Sequence, residues 1–218
     1  MLGFALLLAM TTGTAGQNAA SQAPSSSHFY WSVRKAHELN YDRTIRNTPD
    51  LSSAERAILI KTVTELIRPR WEDNEIGSER ELRQVAADTR VELIDLDGDG
   101  IPEIIAQAND MRAGCGATGN CAFWVFKKVS GGYKLLLDTR DKDGIGGAEL
   151  ITVENSRTNG FNDFVLAVHD SAFEKTLLVY QYKNGFYRES RCYDASWIST
   201  AGGKWQNLKH PVISMGCE

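Results

Sequence analysis

The chain has 218 residues, 42% hydrophobic and 24% charged, the balance of one ordinary globular domain or one domain with a small helical appendage. A formal net charge of −4 argues against a nucleic-acid partner, which would want a basic face, and no Lys/Arg cluster points to anionic lipid.

Leu2 to Met10 is a short apolar run followed by the small residues TTGTAGQNAA, too short to span a bilayer. It matches the core of a secretory signal, although no Lys or Arg precedes it. Residues 1–16 are therefore expected to be a signal peptide, and 17–27 (QNAASQAPSSS) a disordered linker. The expected location is secreted or periplasmic, with no membrane span.

Residues 28–90 read as helical. Val33 to Leu39 predicts a short helix. Leu51 to Ile67 predicts a longer one, opened by a Ser52/Glu55 capping box and striped by Leu59, Ile60, Val63, Leu66 and Ile67. Pro69 is expected to stop it. Ser78 and Glu81 form a second capping box ahead of Leu82, Val85 and Ala86.

Residues 91–218 read as a β domain. VELIDLD, EIIAQA, CAFWVFKKV, YKLLLD, ELITVE, DFVLAVHD, TLLVYQY and FYRESRCY are short apolar or alternating runs, separated by Gly/Asn/Asp turns. Between the first two lies Asp95-Leu96-Asp97-Gly98-Asp99-Gly100. With Asp95 as position 1, carboxylates fall at positions 1, 3 and 5 (Asp95, Asp97, Asp99) and at 9 (Glu103), and Ile101 offers a backbone carbonyl at 7. Oxygens at alternate positions around a glycine turn suit a hard cation, Ca²⁺ above all. Position 12 is Ala106, so the bidentate Glu of an EF-hand is missing, and Ile104-Ile105 continues as a strand. Four acids in nine residues repel one another without a cation, which weighs against a bare Asp-Gly turn.

This D-x-D-x-D-G-x-x-E spacing leading into a strand resembles the calcium loops of FG-GAP/VCBS-type repeats, as found in integrin-like propeller blades. The Phe-Gly and Gly-Ala-Pro signatures of that family are not clearly present, so the loop and its flanking strands carry the resemblance. It implies a Ca²⁺-binding module with a role in adhesion or binding.

The unit recurs. Residues 91–107 align with 151–167 at an offset of 60, and 123–134 with 177–188 at an offset of 54. The six-residue difference falls around Cys115 and Cys121. Two four-stranded, blade-like repeats (91–145 and 151–192) are expected, too few to close a propeller. The fold class is therefore α+β: N-terminal helices on a mainly antiparallel β region, a sandwich or an open barrel. The second loop carries Asn155, Arg157, Asn159, Gly160 and Asp163. A guanidinium where Asp97 stood predicts one metal site, not two. Asp141 and Asp143, interrupted by Arg140 and Lys142, read as a solvated turn.

Four cysteines allow three connectivities. The short separation favours Cys115–Cys121, leaving Cys192–Cys217. No C-x-x-C and no histidine at ligand spacing supports zinc.

His169-Asp170-Ser171 holds the residue types of a hydrolase triad, but strand neighbours point to opposite faces. No catalytic residue is assigned. The first expectation is an exported binding module, for protein or glycan, with a structural Ca²⁺. The aromatics Trp124, Tyr133, Tyr180, Tyr182, Phe186 and Tyr187 are candidates for its surface, although most are expected to be core. A Ca²⁺-stabilised secreted hydrolase and an extracytoplasmic enzyme inhibitor acting through the Cys115–Cys121 loop remain open as alternatives.

Overall fold

The computed structural model describes residues 31, 35–73, 77–140, 147–171, 174–199, 205–207 and 213–215. The expected leader (1–16) and linker (17–27), the Asp141–Asp143 turn and Cys217 lie outside the described residues.

The protein is an α+β sandwich in three layers. Helix α1 (Ser53–Asp73) and helix α2 (Glu79–Ala87) lie on one sheet, and a second sheet lies on its other side. Trp31 packs on the far face of the second sheet and donates its indole N–H to the Thr152 hydroxyl at 3.1 Å.

Both capping boxes form. The Ser52 N–H donates to Glu55 at 2.9 Å, and the Ser78 N–H to Glu81 at 2.8 Å, closing orphan donors at each helix start. Leu59, Val63, Ile67 and Trp71, four residues apart, are buried as a single stripe of α1.

Pro69 does not end α1, contrary to expectation; the helix runs through it to Asp73. A proline inside a helix loses one backbone hydrogen bond and costs about 3 kcal/mol. Trp71 supplies the offset: it extends the stripe by one more turn into the core, and its indole N–H reaches the Gly77 carbonyl at 2.8 Å.

The short helix expected over 33–39 is also corrected. The described part, residues 35–39, holds a turn and a β-bridge in which His37 and Ile151 exchange two backbone hydrogen bonds of 3.0 Å. Leu39 is buried in the core between the sheets. An extended segment is what lets it cover an open strand edge while burying Leu39.

The first sheet is the meander β1 (Arg90–Ile94), β2 (Glu103–Gln107), β3 (Phe123–Val129) and β4 (Gly132–Asp138), antiparallel throughout. The second repeats it with β5 (Leu150–Thr158), β6 (Phe161–Ser171), β7 (Glu174–Lys183) and β8 (Phe186–Ser199). Two short strands, β9 (Trp205–Asn207) and β10 (Ile213–Met215), both pair with β8 and were not expected. The two sheets keep separate edges, so the structure is a sandwich and not a barrel.

The duplication extends to detail. The β3–β4 register shifts between Val125 and Phe126, and the β7–β8 register between Val179 and Tyr180, positions related by the 54-residue offset.

Equivalent faces also point the same way. Ile104, Ala106, Trp124 and Phe126 face the helices, and their counterparts Phe164, Leu166, Leu178 and Tyr180 face the first sheet. Ile105, Phe123 and Val125 meet the second sheet, and Val165, Leu177 and Val179 lie under Trp31. The sheets thus stack front to back, as successive layers, which explains why β2 is buried on both faces.

Among the described residues no helix is long and apolar enough to cross a membrane.

Candidate metal centre

Between β1 and β2 the chain spends eight residues on a loop, and the acids of that loop organise it first. The Asp95 carboxylate accepts from the Gly98 N–H at 2.7 Å and the Gly100 N–H at 3.0 Å. Asp97 accepts from the Asp99 N–H at 3.2 Å, and Asp99 from the Ile101 N–H at 2.8 Å. Such side-chain-to-backbone bonds two or more residues ahead are what Asp favours in turns. Gly98 and Gly100 take φ of 79° and 84°, a region that costs residues with a Cβ. Leu96 turns inward and is fully buried between the sheets, anchoring the loop.

Carboxylate oxygens of Asp95, Asp97 and Asp99 come within 4.8 Å of one another. Glu103 joins from the start of β2. Its side chain is only 1% exposed and accepts from the Leu96 N–H at 2.9 Å. Ile101 keeps its side chain in solvent, 51% exposed.

A residue outside the expected set completes the cluster. Lys127 on β3 extends its ammonium to Asp97, to Asp99 at 2.8 Å and to Glu103 at 3.1 Å. Burial acts to lower the Lys127 pKa, but the hydrogen bonds it donates to these three carboxylates outweigh that and raise the value. Glu103 is raised, chiefly by burial, with the Leu96 N–H and Lys127 opposing. Asp99 is lowered, chiefly by the Lys127 hydrogen bond and then by the Ile101 N–H.

Lys127 was legible in principle. It follows Phe123 and Val125 on the face of β3 that meets the second sheet, and a charge at an inward position demands a partner.

The second copy differs. Its hairpin closes through the two-residue turn Asn159-Gly160, with φ of 50° and 90°. Only the register shift between Val153 and Arg157 marks where the longer loop would be. Asp163, the counterpart of Glu103, is buried and accepts from the Ser156 hydroxyl at 2.8 Å. Gln181, the counterpart of Lys127, stands 3.5 Å from it.

Arg157 was expected to fill the place of a cation in its own loop; instead it lies across both loops. It donates to the carbonyls of Gly160 and Asp97, each at 3.3 Å. The loops also touch through the Asn162 N–H and the Leu96 carbonyl, 2.7 Å apart.

The remaining expected residues are elsewhere. Cys115 and Cys121 form a disulfide, and the hairpin they close is tied to β6 by two bonds between the Asn120 amide and the His169 backbone, of 2.9 and 2.7 Å. Its tip, Ala117 to Gly119, is exposed. Cys192 is disulfide-bonded, and Cys217 lies outside the described residues.

His169, Asp170 and Ser171 engage different partners, respectively Lys175 at 2.7 Å, Thr176 at 2.8 Å and Glu174 at 3.1 Å. Of the aromatics, Trp124, Tyr180 and Tyr187 are core, Tyr133 and Tyr182 are half-buried, and Phe186 is 41% exposed.

Compared with family models, curated proteins and solved structures, the chain gives no match.

Proposed function

We propose that the chain is an exported β-repeat binding module whose β1–β2 hairpin is pinned by a structural Ca²⁺. The observation that carries this reading is the convergence of Asp97, Asp99 and Glu103 on a single positive charge, with Asp95 beside them. That donor set is all oxygen and strongly anionic, which suits a hard divalent cation and not a thiolate- or imidazole-binding metal.

Asp95, Asp97, Asp99, Glu103 and the Ile101 carbonyl would hold the ion. Its contribution would be charge neutralisation and a fixed hairpin, since every ligand comes from the β1–β2 loop and the first residue of β2. Export is supported by the Cys115–Cys121 disulfide, because such bonds persist in oxidising compartments.

The partner class is protein or glycan, and the exposed Ile101 and Phe186 are apolar contacts such a partner could use. Terbium luminescence of the oxidised full chain, competed with Ca²⁺, tests the metal reading. Sensitised emission that Ca²⁺ abolishes is expected, and no emission would sink it.

The exposed tip of the disulfide hairpin favours a second reading, an inhibitor of extracytoplasmic enzymes. Inhibition of a panel of secreted proteases that is lost on reduction of the disulfide would support it. A silent panel would count against it.

A further inference from the structure

Lys127 does more than balance charge. Its ammonium stands at the point toward which Asp97, Asp99 and Glu103 aim. We propose that Lys127 is the resident cation of the Asp95–Glu103 loop, and that Ca²⁺ enters only by displacing it. Lys127 thereby sets both the loop's calcium affinity and its ability to fold without metal. This rests on the calcium reading of the loop.

Three observations support displacement over coexistence. First, Ca²⁺ binds carboxylate oxygens at about 2.3–2.6 Å. Lys127 already lies 2.8 and 3.1 Å from oxygens of Asp99 and Glu103, so an ion sharing those oxygens would meet the ammonium at close range, where like charges repel strongly.

Second, the exchange is favoured by charge. Three carboxylates face one ammonium and Asp95 lies beside them, with the Arg157 guanidinium held on the Asp97 carbonyl. The excess negative charge rewards replacement of a monovalent group by a divalent ion.

Third, the displaced side chain has somewhere to go. Lys127 is 25% exposed at its side chain, so a path to solvent is open to the ammonium.

The second repeat shows the alternative solution. There the counterpart is neutral Gln181 facing one carboxylate, Asp163, and the loop has shortened to a two-residue turn.

Calorimetric Ca²⁺ titration of the oxidised full chain, wild type and Lys127→Met, with thermal melts of both in EDTA, tests the proposal. Lys127→Gln, which copies position 181, runs alongside in case the methionine variant fails to fold. The expected result is Ca²⁺ binding about tenfold tighter or more in the variants, with an EDTA midpoint that falls and is restored by Ca²⁺.

Binding that is equal or weaker in the variants overturns displacement and leaves the calcium reading standing. Binding by the variants alone upholds displacement and removes Ca²⁺ from the native protein's role. No heat from any of the three proteins overturns both.

Discussion

The two repeats share a backbone plan and differ in how they close their first hairpin. The β5–β6 hairpin does it with Asn159-Gly160 and a network of neutral groups around Asp163. The β1–β2 hairpin uses eight residues, four carboxylates and a lysine. A two-residue turn matched to strand twist needs no side-chain chemistry. The longer loop has to be held, and a set of acids can hold it only around a positive charge. The comparison therefore separates what the fold requires, which both copies keep, from what the first loop adds.

Breaking what both copies share should cost most. Phe164 lies between the sheets, stacked on Tyr180 at 5.4 Å and against Tyr187 at 4.5 Å. Phe164→Ala should cost about 3–5 kcal/mol in a urea melt, in the presence or absence of Ca²⁺.

Lys127 and Gln181 are the sharper pair. In EDTA, Lys127→Met should cost about 1–2 kcal/mol, below the figure for a fully buried ion pair because the side chain is 25% exposed. Gln181→Met should cost under about 1 kcal/mol. Equal losses would mean that the two loops are held in the same way.

Gly100 and Gly160 occupy equivalent positions, with φ of 84° and 90° and nothing within 4 Å of an added Cβ. Each Gly→Ala should cost about 1 kcal/mol from backbone strain alone, and unequal costs would show that the turns are not conformational equivalents.

The smallest effect lies at the joint between the copies. His37 bridges to β5 and hydrogen-bonds Glu92 of β1 at 2.9 Å. That bond raises the His37 pKa above 6.5, with burial opposing. A raised histidine stabilises the fold below its unfolded pKa, and the gain is lost as pH rises through the folded value. Chemical-denaturation midpoints should therefore fall slightly as pH rises above about 6.5, and His37→Gln should flatten that slope; an unchanged slope would contradict the assignment. With half-exposed partners the effect is a few tenths of a kcal/mol.

The strands, both capping boxes, the duplication and the local cysteine pair were legible because each is written in local spacing. The extension of α1 past Pro69 was not, because it depends on Trp71 finding a tertiary core. The path of residues 35–39 was set by an open edge on β5, which no local pattern contains. Lys127 lies between: its inward position follows from β3's alternation, but its partners lie 24 to 30 residues away. Strands β9 and β10, at three residues each, are too short to carry a period.

The most direct test of the central claim is the thermal midpoint of the oxidised full chain across a Ca²⁺ titration from EDTA, beside Asp97→Asn. A ligand that binds only the folded state stabilises by about 1.4 kcal/mol at ten times its Kd. The account predicts a midpoint that climbs with Ca²⁺ in the wild type and climbs less, or not at all, in the variant. Parallel curves, or no response in either, would contradict it and leave the Asp95–Glu103 loop as an acidic turn held by Lys127 alone.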